Sequence, residues 1–320
     1  MGADGLPDPE DGVRDHRLGR DIASAHHLLR RHAKLAYTVL KVEPHESRFV
    51  AEVHGVDLAR PLPPQHEAAL LQAWSRHPVL VLRGQQLDDA SHGDFAARLG
   101  APAIFPGAAG DARIYGSANV DGMGRLLPEG DERATLLRMN WHWHVDGCYR
   151  DRPNRAVVLR AVEVAGEGGD TLFADLRLAC ASLPGTLRSR ISGRSCLHSF
   201  AHMIRCCGMP DISRDEAEGL PGARHPLVWR RADGSESLFL SPPYMSSIDG
   251  LGSDETRALV DELARWATQE RFVYRHRWQA GDVLVWDNRW TMHRVLLYDL
   301  SHHRRVMRGA TLLGDEAVTG

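Results

Sequence analysis

What the chain has little of narrows the field first. Of its 39 basic residues only Lys34 and Lys41 are lysine, and against 42 acidic residues the formal net charge is -3 at pH 7. Neutralising a phosphate backbone needs a clustered excess of cations, so no nucleic-acid partner is expected. Cysteine is scarce too. Cys148, Cys180, Cys196, Cys206 and Cys207 make an odd five without C-x-x-C spacing, which argues for reduced thiols rather than a disulfide or thiolate framework. Aliphatic runs such as Val79-Leu80-Val81-Leu82 fall far short of the roughly 20 residues that cross a bilayer. Residues 1–30 are charged and lack the apolar core of a secretory signal. The chain therefore reads as soluble and cytoplasmic, with no membrane partner. No period of roughly 20 to 50 residues repeats, which removes solenoids and propellers. No glycine-rich loop joins a strand to a helix in the nucleotide-binding manner.

What is present reads as mainly β with several helices. Residues 1–35, rich in Gly, Pro and Asp, read as a flexible tail with a short helix at Ala23–Leu35, and residues 36–320 as one domain. Helices are expected at Glu67–Arg76, at Ser91–Leu99 with Ser91 and Asp94 in capping-box spacing, and at Asp254–Gln269. Short strands are expected at Trp141–Val145, Ala156–Arg160, Thr171–Ala174, Ser237–Leu240, Phe272–Trp278, Val283–Trp286 and Arg305–Leu313, separated by turn residues. So many strands suggest a sandwich or barrel with helices outside. The stretches 106–140 and 181–225 show weak periodicity and are long for connections, so they read as lids. At 320 residues the chain can bury a full core without a metal or disulfide.

The chemistry centres on Asn140-Trp141-His142-Trp143-His144-Val145-Asp146-Gly147. On a strand, His144 and Asp146 share a face. His293, just beyond the buried run Val283–Trp286, can supply a third ligand. Two imidazoles and one carboxylate leave coordination sites open, as in non-haem Fe(II) oxygenases. His92-Gly93-Asp94 also spells H-x-D but sits in the first turn of a predicted helix, where residues two apart diverge. There Asp94 reads as a cap and His92 as solvated. His142 would compete as a ligand only on a bulged strand.

Four segments then occur in order: Trp143-His144-Val145-Asp146; Gly168-Gly169-Asp170-Thr171-Leu172; Gly281-Asp282 through Trp286-Asp287-Asn288-Arg289 to His293; and Arg304-Arg305-Val306-Met307 to Gly314-Asp315. With Gly55-Val56-Asp57-Leu58 and Val81-Leu82-Arg83-Gly84-Gln85 they resemble the TauD/TfdA (taurine dioxygenase) type of Fe(II)/2-oxoglutarate-dependent dioxygenase, over about residues 37 to 315. The resemblance implies a double-stranded β-helix, or jelly roll, with flanking helices. It implies Fe(II) on His144, Asp146 and His293, and 2-oxoglutarate on Arg305 with the Thr171 hydroxyl. It further implies O2 as oxidant, succinate and CO2 as products, and hydroxylation of a small organic substrate. Two alternatives use the same His/Asp/His set: a non-catalytic metal-binding jelly roll and a zinc hydrolase. Neither needs a buried carboxylate receptor such as Arg305.

Taurine-type members hold the substrate's acid group with a histidine and an arginine, and the resemblance places Phe105 and Gly309 at those positions. Neither side chain binds an anion. Arg308 is adjacent but points to the opposite face of a regular strand. With Asn140 and Tyr244 as polar handles and Gly309 making room, the expected substrate is not taurine. A larger, weakly polar molecule such as a specialised metabolite fits better. Homo-oligomerisation stays open.

Overall fold

The computed structural model describes residues 39–106, 110–207 and 213–320; the expected tail and its helix at Ala23–Leu35 lie outside them. In chain order the first elements are β1 (Lys41–Pro44), β2 (Val50–His54), α1 (Pro64–Arg76), β3 (Val79–Leu82), α2 (Asp89–Leu99), β4 (Tyr115–Ala118) and α3 (Glu132–Met139). Then come β5 (Ala156–Glu163), β6 (Thr171–Asp175), α4 (Leu176–Ala181), α5 (Gly185–Ile191), β7 (Ser195–Ser199), α6 (Phe200–Cys206) and α7 (Arg214–Glu218). The rest are β8 (Gly222–Pro226), β9 (Val228–Arg230), β10 (Glu236–Leu238), β11 (Met245–Ile248), α8 (Ser253–Ala267), β12 (Val273–His276), β13 (Val283–Asp287), β14 (Thr291–Val295) and β15 (Val306–Leu312).

The largest sheet has the order β1-β2-β3-β13-β5-β15-β4, antiparallel except for the parallel pair β2 and β3. Its central strands β3, β13, β5 and β15 are largely buried, and alternation sorts their side chains into two cores. Val283 and Val285 of β13, with Ala156 and Val158 of β5 and Ala310 and Leu312 of β15, pack against α1 and α2 through Leu70, Trp74, Phe95 and Leu99. Leu284, Trp286, Val157, Leu159 and Met307 face the other way, onto Phe173 of β6 and Trp278. That second layer is the sheet β12-β6-β14. A third sheet, β11-β7-β8, and the ribbon β9-β10 enclose a further core with α4, α5, α6 and α8.

The helices start where local chemistry allows. Pro64 opens α1, where its missing N–H costs nothing. In α2 the cap is Asp88 and not Ser91: Asp88 accepts from the Ser91 backbone and the Ser91 hydroxyl answers to the Asp88 backbone. The Ser91–Asp94 capping box expected from sequence is thus one turn late. His92, expected solvated, is fully buried and bonds the Val158 carbonyl through Nε2 at 3.1 Å. It joins Phe95, Ala96 and Leu99 on the buried stripe.

One further expectation changes. The strand over Trp141–Val145 does not form; only His144 makes an isolated bridge, to His293. The stretches 106–140 and 181–225 contain regular structure: β4 and α3 in the first, α5, β7, α6, α7 and much of β8 in the second. No described helix is long and apolar enough to cross a membrane.

Candidate active site

His293 sits in the middle of β14, a strand the sequence reading had placed only as the region beyond β13. It pairs with Phe173 of β6 and is 6 % exposed. After α3, capped at its C-terminus by Asn140, the Asn140 carbonyl accepts from Val295 N at 2.7 Å, which lays the following residues beside β14. His144 then exchanges two backbone hydrogen bonds with His293, at 3.0 and 2.9 Å. Gly147 turns the chain at φ +70, with Asn154 so close that a Cβ would lie 2.7 Å from it. Asp146 stands at the start of that turn, just past the single bridge residue His144.

The three side chains converge. His144 Nε2 lies 3.5 Å from Asp146 Oδ1, and His293 Nε2 lies 3.6 Å from Asp146 Oδ2. One donor atom from each lies within 4.8 Å of the others, the one such cluster of three among the described residues. His144 Nδ1 is 2.7 Å from the His142 carbonyl, which can only accept, so Nδ1 carries the proton and Nε2 a free lone pair. His142 itself contributes its carbonyl and no ligand atom. Burial pushes the Asp146 carboxyl up, but the two imidazoles outweigh it and hold it at about 2. Burial pushes His293 down to about 3 against the pull of Asp146. For His144 burial lowers the value, yet the contact with Asp146 leaves it raised. Asp146 Oδ2 is buried without a hydrogen-bond partner. Such a donor set fits a divalent metal with open positions.

A cavity of about 300 Å³ reaches this cluster. Asp146 and His293 line it, together with Thr171, Arg305, Phe105, Tyr115, Asn140, Leu159, Trp286 and Thr311. Arg305 immediately precedes β15 and is 4 % exposed. Its backbone N–H donates to Asn119 Oδ1 at 2.7 Å, and its Nε donates to the Gly169 carbonyl at 3.1 Å. Gly168 and Gly169 both have positive φ; a Cβ on Gly168 would strike the Leu297 carbonyl, and one on Gly169 would press on the Arg305 stem. Hence the two glycines. Arg305 Nη2 has no hydrogen-bond partner, no carboxylate among the described residues forms an ion pair with the guanidinium, and burial lowers its pKa. The Thr171 hydroxyl accepts from Trp278 Nε1 at 2.9 Å, so its own proton is free to be donated.

The remaining expected residues divide. Phe105 and Asn140 line the cavity. Tyr244 does not: it is buried behind Tyr149, their rings stacked at 5.6 Å. Gly309 does not make room for a substrate, because Tyr115, its cross-strand partner, fills the space: a Cβ there would lie 2.4 Å from the Tyr115 ring. Arg308 faces outward as expected, onto Asp89, which also accepts from Arg160 at 2.9 Å. The sequence reading missed Tyr115, Tyr149, Arg150 and Thr311, all lining the cavity. Tyr149 and Arg150 follow the Asp146-Gly147 turn directly and could have been found there. Tyr115 could not, since its place depends on strand register.

A mainly β scaffold with two buried imidazoles and a carboxylate, and a buried arginine lining the same cavity, is compatible with a non-haem metal oxygenase. The family is the taurine catabolism dioxygenase TauD, TfdA family, whose model matches residues 39–311, and the chain belongs to it. It is a 2-oxoglutarate-dependent dioxygenase. The α-ketoglutarate-dependent 2,4-dichlorophenoxyacetate dioxygenase of Cupriavidus pinatubonensis is 32% identical over 281 residues, covering 84% of this chain and 96% of that one. The (S)-phenoxypropionate/α-ketoglutarate dioxygenase of Delftia acidovorans is 31% identical over 248 residues, covering 75% and 84%. Among solved structures, AAD-2 in complex with Mn(II) and N-oxalylglycine has a TM-score of 0.81 at 30% identity, covering 88% of this chain and 99% of that one.

Proposed function

We propose that this dioxygenase holds iron(II) on His144, Asp146 and His293, binds 2-oxoglutarate through Arg305 and Thr171, and hydroxylates a small organic substrate larger than taurine. We read the seven-stranded sheet and the β12-β6-β14 sheet as the two halves of a double-stranded β-helix. The observation that carries the reading is Arg305, a buried guanidinium with an unpartnered Nη2, lining the same cavity as Asp146 and His293. A buried cation without a counter-ion is costly, and a dicarboxylate end is its natural complement. A zinc hydrolase or a purely structural metal site would leave that cost unmet.

When bound, iron(II) with 2-oxoglutarate and O2 supplies the oxidation of a substrate C–H to C–OH, with succinate and CO2 released. The protein supplies placement. The His142 carbonyl fixes the His144 tautomer so that Nε2 faces the metal position. Trp286 and Phe173 hold the His293 ring, at 4.7 and 5.9 Å. Arg305 anchors one carboxylate of the ketoacid, and the Thr171 hydroxyl donates to it. Phe105, Tyr115 and Tyr149 offer an aromatic wall for the substrate body and limit water near the metal.

Neither Phe105 nor Gly309 offers a charge, and Tyr115 seals the space beside Gly309, so a taurine sulfonate has no receptor at those two places. The test is succinate formation from 2-oxoglutarate in air with Fe(II) and ascorbate, scanned over aryl ethers, terpenoid lactones, 2,4-dichlorophenoxyacetate and taurine. Stimulation by a bulky, weakly polar compound and not by taurine is expected. Efficient turnover of taurine would overturn the substrate reading.

A further inference from the structure

A second cavity, about 600 Å³, shares no lining residue with the first. Its walls include the indoles of Trp141 and Trp143, from the segment that leads into His144, and the guanidinia of Arg257 on α8 and Arg294 on β14. Arg294 lies over the Trp143 ring at 5.4 Å, and neither arginine has an acidic partner among the described residues. Arg294 Nε and Trp141 Nε1 are both buried donors without an acceptor. Asp261 is the one acid in the lining. A pocket of flat aromatic faces with unmet donors and surplus positive charge calls for a ligand that brings acceptors, negative charge and a π surface.

We propose that this cavity is a second ligand site, for an organic anion with an aromatic body, and that its occupant is coupled to the metal cluster. The coupling has a physical route. The carbonyl of His142, between the two indoles, holds His144 through Nδ1, and Arg294 directly follows His293 on β14. A ligand gripping Trp143 and Arg294 thus pulls on the backbone of both histidines. The coupling rests on His144 and His293 being metal ligands; the binding does not.

The probe is 8-anilinonaphthalene-1-sulfonate, an aromatic anion whose emission rises in such sites. It is titrated into the full chain, metal-free and loaded with Mn(II) and N-oxalylglycine so that the first cavity is filled. One saturable site is expected in the loaded form, where the first cavity is closed to the probe. Arg257→Glu should weaken it by about tenfold or more at unchanged melting temperature, because it reverses a charge that faces the anion. Arg150→Glu, at the first cavity, should leave the affinity unchanged in the loaded form. Absence of a saturable site, equal affinity in Arg257→Glu, or loss in Arg150→Glu would overturn the site. Saturating probe should also shift the Mn(II) affinity of the wild type, and by reciprocity Mn(II) should shift the probe's by the same factor. Mn(II) affinity that is identical with and without probe would overturn the coupling. Failure of Mn(II) to bind at all would instead count against the metal reading, while the contrast between Arg257→Glu and Arg150→Glu in the metal-free titration still decides the site.

Discussion

Two H-x-D pairs in one chain have opposite fates because their surroundings differ. His144 keeps a lone pair on Nε2 and faces an ionised carboxylate, whereas His92 spends Nε2 on a backbone carbonyl inside the helix–sheet core, and Asp94 pairs with Arg113 at 2.9 Å. Replacing His144, Asp146 or His293 by Ala should abolish Mn(II) binding, read by calorimetry, with the fold retained. His92→Ala should leave Mn(II) binding intact but lower stability by about 1 to 3 kcal/mol, because the Val158 carbonyl loses its partner. Loss of metal in His92→Ala would refute the assignment. Gly309 gives a second residue-scale test. Gly309→Ala drives a methyl into the Tyr115 ring and should cost about 1 to 3 kcal/mol in denaturant melts, as overpacking does. The double variant Gly309→Ala/Tyr115→Ala should relieve that clash, and a non-additive cycle is the expected signature.

Helix α2 is held to the sheet by a histidine that must stay neutral. Burial, then the Arg160 charge, lowers His92 from 6.5 to about 4, against smaller opposing contributions from its bond to Val158 and from Asp89. A folded value below the unfolded one means that the stabilisation is full above pH 6.5 and is lost as pH falls toward about 4. Thermal melts of the wild type should therefore fall more steeply across that window than those of His92→Gln. Parallel slopes would show that His92 is not the group responsible. At this scale the sequence was read well where one element's own period decides, and poorly where a neighbour decides. Val283–Asp287 and Ser253–Ala267 announce themselves by run and stripe. His92, Phe95, Ala96 and Leu99 also lie at helical spacing, and the burial of His92 was legible to anyone who counted it with the apolar set. The segment Trp141–Val145 alternates like a strand, but its backbone meets β14 at a single residue, and no local pattern reveals that. The pairing of Gly309 with Tyr115 depends on register across some 190 residues of chain, which no local pattern carries either.

Across the whole molecule, the cavity is built from distant parts: Phe105 and Tyr115 from before α3, Asp146 and Tyr149 from the turn after it, Thr171 from β6, and Arg305 from the approach to β15. The ligand types and their order along the chain were legible because chemistry restricts which residues can bind a metal or a carboxylate. The wall was not, because it is set by how strands stack. Hydrogen exchange should show protection of residues 110–140 on adding Mn(II), N-oxalylglycine and substrate, since β4 and Tyr115 border the filled space; unchanged exchange would assign that stretch a purely structural role. Most direct of all is the affinity for 2-oxoglutarate of the Mn(II)-loaded wild type and of Arg305→Gln, measured by calorimetry. The variant removes a charge-assisted contact in a desolvated pocket and should lose about 2 to 5 kcal/mol of binding while retaining Mn(II). Equal 2-oxoglutarate affinity in the two proteins would contradict the account.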